Sequence, residues 1–396
     1  MKKTLVALAA LAATGAFAQS TVTLSGNLDF AAATISGTQT LAQGSTVSTG
    51  VGTASTSVIN LVAEETVTGG FKITAKYGLD PRGLANDSLA VTNNTTSAVT
   101  AGERAAAPAN TTTGLARDEA FIGISGGFGN LRLGAPNSIG LNSFQVASPL
   151  GTGVGSGYTG GSTAATMTNS FVQTRYSRSV RYDSPSFNGI TLSALYAPGN
   201  DAAVLRVSNV AAAVLIPNAR QATEFGLRYA AGPMTVSYAY VAQGAQSNPT
   251  GWYSGTAQTL DKTAVSMLNA SYVMGNTALS AGWNNGDRLA SFGATDATAV
   301  DTNGYRLGIR HTMGNIDLGA SYTRQTANSG GTTSARSDVT AKVTGLRADY
   351  NFSKTAAAYV GYENWDTGAA YSEAAVASAL TTGTRKIVSI GLRKSF

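Results

Sequence analysis

The chain has 396 residues with 46 glycines, 16 tyrosines, 12 phenylalanines, one histidine, no cysteine and a formal charge of +6. Only 12% of its residues are charged, against about 25% in ordinary soluble domains. The lack of cysteine excludes a disulfide framework and thiolate chemistry. The basic residues stand singly among Gly- and Thr-rich runs, which argues against a nucleic-acid partner.

Residues 1–18 read as an export signal. Lys2 and Lys3 form a charged start, Leu5 to Ala13 an apolar stretch, and Ala16-Phe17-Ala18 a small-x-small cleavage site. The mature part is then 19–396, starts at Gln19 and, without Lys2 and Lys3, carries +4 instead of +6. The apolar stretch is too short to cross about 30 Å of hydrocarbon as a helix. Beyond it no apolar run reaches about 18 residues, so a closed barrel is the remaining way to span a membrane.

From Gln19 onward the recurring unit is a run of about ten residues alternating in polarity, followed by a tight turn or a long polar loop. In Val22-Thr-Leu-Ser-Gly-Asn-Leu-Asp-Phe30, Val22, Leu24, Leu28 and Phe30 fall on one strand face and Thr23, Ser25, Asn27 and Asp29 on the other. Further strands are expected near 55–67, 70–79, 117–125, 129–134, 176–184, 189–197, 223–231, 233–243, 263–273, 277–284, 303–312, 316–325, 340–351, 355–365 and 384–396.

The connections alternate between two kinds. The short ones are Thr68-Gly69, Gly126 to Phe128, Pro185 to Asn188, Gly232, Met274 to Asn276, Met313 to Asn315 and Phe352 to Lys354. The long ones cover about 35–54, 80–116, 135–175, 198–222, 244–262, 285–302, 326–339 and 366–383. This predicts an all-β fold: a transmembrane antiparallel β-barrel of 16 strands with short turns at the periplasm. A barrel of that size encloses water. Tyr229, Tyr272, Tyr322, Tyr350, Phe352 and Tyr362, near strand ends, suit interfacial girdles.

The alternative of an exported adhesin-like β protein fits this two-class loop pattern less well, because soluble sandwiches turn every 8–12 residues or so. An outer-membrane barrel hydrolase would need an activated serine, but His311 is the only histidine and lies beside the turn Met313-Gly314. No cofactor or His/Cys metal cluster is expected. Asp80, Asp87 and Glu103 share one long loop without calcium-loop spacing. Val210 to Ile216 reads as a short helix or a mobile segment.

Four segments resemble the general diffusion porins of Gram-negative bacteria, particularly their β-proteobacterial branch. They are Thr21-Val-Thr-Leu-Ser-Gly-Asn-Leu-Asp29, Phe121-Ile-Gly-Ile-Ser-Gly-Gly-Phe-Gly-Asn-Leu-Arg-Leu-Gly134, Val180-Arg-Tyr-Asp-Ser-Pro-Ser-Phe-Asn-Gly189 and Ile390-Gly-Leu-Arg-Lys-Ser-Phe396. The resemblance implies an outer-membrane homotrimer and a long third loop, about Ala135 to Thr174, folded into each pore as a constriction. It also implies outer-membrane lipid, lipopolysaccharide and the barrel assembly machinery as partners, the last reading Phe396 as the end of a strand that places Val388, Ile390 and Leu392 on one face. Lys394 interrupts that face, where its stem can snorkel. Two basic positions of the family pattern are replaced here, at Val58 and at Asp118.

A pore selects ions through charges at its narrowest point. No acidic residue occurs between Glu119 and Asp183, an interval that holds Arg132, Arg175, Arg178 and Arg181. Arg132 sits between Leu131 and Leu133, which turns it inward, and Arg175 aligns with a lumen arginine of anion-selective relatives. These arginines are expected to form a positive constriction favouring small anions among the polar solutes passed, offset in part by Asp118 and Glu119, with Arg117 just upstream. By strand parity Arg228, Arg306, Arg310 and Arg393 are further lumen charges; equally, they read as wetted wall residues balanced by Glu224, Asp349 and Glu363.

Overall fold

The structure, a computed structural model, describes residues 20–37, 48–53, 57–80, 116–156, 174–199, 203–205, 214–216, 221–248, 258–292, 296–328, 338–367 and 383–396. The expected export signal, Asp87, Glu103 and the side chain of Arg117 lie outside the described residues.

Sixteen long strands form the wall. They are β1 (Thr21–Gly37), β2 (Val58–Val67), β3 (Phe71–Asp80), β4 (Ala116–Gly126), β5 (Gly129–Ala135), β6 (Ser179–Asp183), β7 (Ile190–Ala197) and β8 (Ala222–Ala231). The second half comprises β9 (Met234–Gln243), β10 (Thr263–Met274), β11 (Thr277–Phe292), β12 (Asp296–Met313), β13 (Ile316–Asn328), β14 (Asp338–Ser353), β15 (Ala356–Thr367) and β16 (Gly383–Ser395). Each pairs antiparallel with the next in sequence. The last returns to the first, from Asn27 opposite Ser395 to Gly37 opposite Arg385. Closure leaves no sheet edge, so every wall strand has a partner on both sides, as a membrane core demands.

Alternation builds the two faces. On β8, Phe225 and Leu227 are exposed on one side while Glu224 and Gly226 lie on the other. The same parity puts Leu268, Trp283, Leu307, Leu318, Leu346, Val360 and Ile390 outward. Tyr229, Tyr272, Tyr322, Tyr350 and Tyr362 share the outward face. Most of the short hairpins turn where one or two residues enter left-handed backbone. Gly275 and Gly314 have φ of 57° and 58°, the first-position glycine of a type II′ turn, whose twist suits paired strands.

The structure revises the upper ends of several strands. The loop expected at 285–302 is mostly ladder, with Asn285 opposite Asn303 and Phe292 opposite Asp296. Above the apolar belt both faces are wet, so polarity stops alternating although backbone pairing continues. In the same way β1 runs past position 35 and pairs with Ser48–Thr53. The expected strand 176–184 is shorter, because Arg178 adopts φ 59° just before β6 begins at Ser179. Val214–Ile216 is a strand paired with Ala203–Leu205, which corrects the helical reading of that stretch and fits the β-branched Val204, Val214 and Ile216.

Candidate functional site

The inward face of β7 to β10 is not uniformly polar: Leu195, Ala239, Val241, Val265 and Met267 are buried there. They pack against α1 (Ile139–Val146), the one described helix, which follows β5. Ser138 caps it, its hydroxyl accepting from the Leu141 amide at 2.9 Å. Ile139, Leu141 and Phe144 go into the cluster with Tyr176, each contributing about 1.5–3 kcal/mol of apolar burial.

Charged groups of the wall hold the two ends of this helix. Glu224 of β8 accepts from the Ile139 amide at 2.5 Å, the Gly140 amide at 3.0 Å and the Tyr176 hydroxyl at 2.9 Å. A carboxylate there meets unpaired helix N–H groups and the positive end of the helix dipole. At the other end Arg306 of β12 donates to the Phe144 carbonyl at 2.5 Å, and its guanidinium lies 3.5 Å from the Phe144 ring centroid.

The chain then continues along the wall. Ser280 of β11 donates to the Ala147 carbonyl at 3.3 Å, Arg347 of β14 to the Val154 carbonyl at 3.4 Å, and the Gly155 amide donates to Glu363 of β15 at 2.8 Å. Glycines make room for it. A Cβ on Gly226 would collide with Ile139, on Gly319 with Leu150, and on Gly361 with the Val154 carbonyl. At Gly345 it would lie 2.8 Å from the Gly155 carbonyl oxygen.

A closed barrel of sixteen strands, apolar outside and lined with charge inside, has one further observation beside it: the chain matches, over residues 4–370, the model of a family described as Gram-negative porin. The chain belongs to the Gram-negative porin family. It is an outer-membrane β-barrel channel protein of that family. Among solved structures it is similar to the anion-selective porin from Comamonas acidovorans, at 20% identity and TM-score 0.65, covering 96% of this chain and 100% of that one. The trimer form of OmpT, an outer membrane protein of Vibrio cholerae, matches at 14% identity and TM-score 0.56, covering 95% and 99%. The major outer membrane protein P.IB of Neisseria gonorrhoeae is 38% identical over 98 residues, which span 24% of this chain and 26% of that protein.

In this porin the arginines near the third loop are paired or displaced. Arg132 and Arg181 both contact Asp183, Arg181 at 2.8 Å. Arg175 pairs with Asp118 and also donates to the Asn137 side chain at 2.8 Å. Glu119 accepts from Lys76 at 2.5 Å and from the Asn137 amide at 2.8 Å. Arg178 is exposed in the turn before β6. By strand parity Arg228, Arg310 and Arg393 face the lumen near the short-turn end, and among the described residues none has a carboxylate at ion-pair distance. His311 faces outward beside Ile309, its Nδ1 2.8 Å from the Thr277 hydroxyl.

Sequence reasoning treated Glu224 and Glu363 only as balancing charges and did not see them as anchors. A usable signal was there: each has a glycine two positions away on the same strand face, Gly226 and Gly361, which marks close approach of another backbone. Valine at both Gly345 and Gly361 is expected to lift the 153–156 stretch off the wall. Overpacking of about 1–3 kcal/mol corresponds to about 5- to 150-fold faster amide exchange at Gly155. Unchanged exchange there would mean that the glycines do not seat the segment.

Proposed function

We propose that this porin is a passive, water-filled channel for small hydrophilic solutes, narrowed by residues 137–156 folded into the lumen, and that it prefers anions. The observation that carries the narrowing is the series of contacts from the Ile139 amide on Glu224 of β8 to the Gly155 amide on Glu363 of β15. A segment bonded to the inward face of β8, β11, β12, β14 and β15 occupies cross-section that ions would otherwise use.

The anion preference rests on charge accounting along the lumen. Arg175 is matched by Asp118, Lys76 by Glu119 and Arg347 by Asp349, while Arg132 and Arg181 share Asp183 and keep one positive charge in excess. Arg228, Arg310 and Arg393 add positive charge at the short-turn mouth, which Asp317 on the inward face of β13 offsets in part. A unit charge about 8 Å from a permeating ion in water is worth about 0.5 kcal/mol, roughly a factor of two. Each charge favours anions and disfavours cations by that factor, so neutralising Arg228, Arg310 and Arg393 together with glutamine is expected to lower the anion-to-cation permeability ratio by up to about a hundredfold at low salt.

The test is the zero-current potential across a planar bilayer under a potassium chloride gradient, for the wild type and the triple variant. Cation preference in the wild type would overturn the anion reading and leave the channel standing. The homotrimer belongs to the same proposal: it is supported by the trimer form recorded for OmpT of Vibrio cholerae and expects openings in groups of three. Removal of residues 1–18 on export, and recognition of Phe396 by the assembly machinery, complete the reading.

A further inference from the structure

Between the far end of the narrowing segment and the short turns, the lumen holds a polar recess of about 350 Å³, toward the small end of the range for small-molecule clefts, about 300–1,000 Å³. The inward positions of β14, β15, β16 and β1 form one side and Gly151 to Gly153 the other. The Gly151 amide donates to the Ser148 carbonyl at 3.3 Å and Gly151 takes φ 74°, which turns the chain after α1. Opposite it, the pairing of β14 with β15 shifts register between Asn351 and Ser353. Such a bulge re-aims the side chains beside it, and Ser353, Lys354 and Thr355 of the turn line the rim.

The charge in this recess has one sign. Arg393 and Lys354 line it and no aspartate or glutamate does; among the described residues neither cation has a carboxylate at ion-pair distance. The carboxylates on neighbouring inward positions are engaged by other groups. Asp29, the direct partner of Arg393 across β1 and β16, accepts from the Tyr359 hydroxyl. Asp349 is paired with Arg347 at 2.8 Å, and Asp317 accepts from the Asn351 side chain at 2.9 Å and from Thr312. The rim adds neutral donors. Ser353 Oγ accepts from the Thr355 amide at 3.2 Å, and Thr355 Oγ1 accepts from the Lys394 ammonium at 2.8 Å. These two hydroxyls lie 3.4 Å apart, so at least one keeps its proton for a further acceptor.

We infer that this recess is a binding subsite for a small oxyanion carrying two negative charges, a phosphate group, in transit through the lumen. The inference deepens the anion reading proposed above and rests on it. The guanidinium of Arg393 offers a planar fork for two oxygens of one phosphate, and the Lys354 ammonium adds a point charge from the turn. A mouth that merely carries positive charge attracts every anion in proportion to its charge. A recess with charged and hydroxyl donors on its wall holds a divalent oxyanion longer than a chloride ion, because it satisfies several oxygens at once.

The experiment titrates inorganic phosphate into the refolded full-length barrel in detergent, at mildly alkaline pH and constant ionic strength, and follows the broadening of the phosphorus NMR resonance. The wild type is expected to bind saturably, Lys354→Gln about tenfold more weakly, and Lys354→Gln with Arg393→Gln about a hundredfold more weakly. Arg228→Gln removes the same charge from β8, on the opposite side of the barrel, and is expected to weaken binding only through the shared field, by about twofold. Sulfate should displace the phosphate and chloride at equal ionic strength should not. Equal losses in Arg228→Gln and Lys354→Gln overturn the subsite, as do broadening without saturation and displacement by chloride as readily as by sulfate. The zero-current potential of the same preparation in potassium chloride reads the channel separately. Chloride preference without saturable phosphate binding rejects the subsite and leaves the anion channel standing, whereas cation preference overturns the reading on which the subsite rests.

Discussion

Leucine in place of Glu224 is expected to release α1 from the wall and raise single-channel conductance. The carboxylate is fully buried and accepts from the Ile139 amide, the Gly140 amide and the Tyr176 hydroxyl. Leucine leaves those three donors buried and unpaired, at about 1–3 kcal/mol each. It also removes the negative charge at the helix N-terminus, worth about 0.3–1 kcal/mol. The combined loss is comparable to the burial of Ile139, Leu141 and Phe144 at about 1.5–3 kcal/mol each, so the docked state loses most of its margin. Glu224→Gln keeps one acceptor oxygen in place and should have a smaller effect in the same direction. The readout is conductance at fixed potassium chloride concentration. A Glu224→Leu channel with wild-type conductance would show that the helix does not narrow the pore.

The difference between what the sequence discloses and what it hides follows from the range of the interactions. The wall was legible because each strand carries its own local signal: Phe225, Leu227 and Tyr229 alternate with Glu224, Gly226 and Arg228, and turns such as Met274-Gly275-Asn276 close the hairpins. Strand count, order and antiparallel pairing all follow from such local patterns. Upper boundaries did not, because Asn285 to Thr302 has polar residues on both faces and backbone bonding needs no side-chain pattern.

The loop-to-wall contacts were hidden for a different reason. Ile139 lies 85 residues from Glu224, and Gly155 lies 208 from Glu363. No periodicity links such pairs. Arg306 shows the difference within one residue: its strand parity places it inside, but nothing near it in sequence says that it will meet the carbonyl end of a helix 162 residues away. The partial clue was apolar residues on the wrong face. Val241, Val265 and Met267 point inward, where a wall wetted throughout would carry polar groups, and they do so because α1 covers them.

The seam between β1 and β16 is where the loss of a single residue should cost most in barrel stability. There the Gly26 amide donates to the Phe396 carbonyl at 2.9 Å, and the Phe396 amide donates to the Gly26 carbonyl at 3.0 Å. The Phe396 ring lies over Gly26, so that a Cβ on the glycine would sit 2.6 Å from Phe396 Cζ and 2.7 Å from the Val58 carbonyl oxygen. The terminal aromatic thus fills the gap left by a glycine in the adjacent strand. Deleting Phe396 leaves both backbone groups of Gly26 unpaired on a lipid-facing wall, at about 1–3 kcal/mol each and more where lipid excludes water. Phe396→Ala keeps the two bonds and loses only the ring, so it should be milder. Gly26→Val should resemble the deletion, because the Val58 carbonyl cannot retreat without breaking the β1–β2 ladder. Urea titration of the folded barrel in micelles, followed by the gel-mobility shift between folded and unfolded forms, is expected to rank midpoints as wild type, then Phe396→Ala, then the deletion and Gly26→Val together at the bottom. If the deletion matched Phe396→Ala, the ring rather than the backbone pair would be what closes the seam.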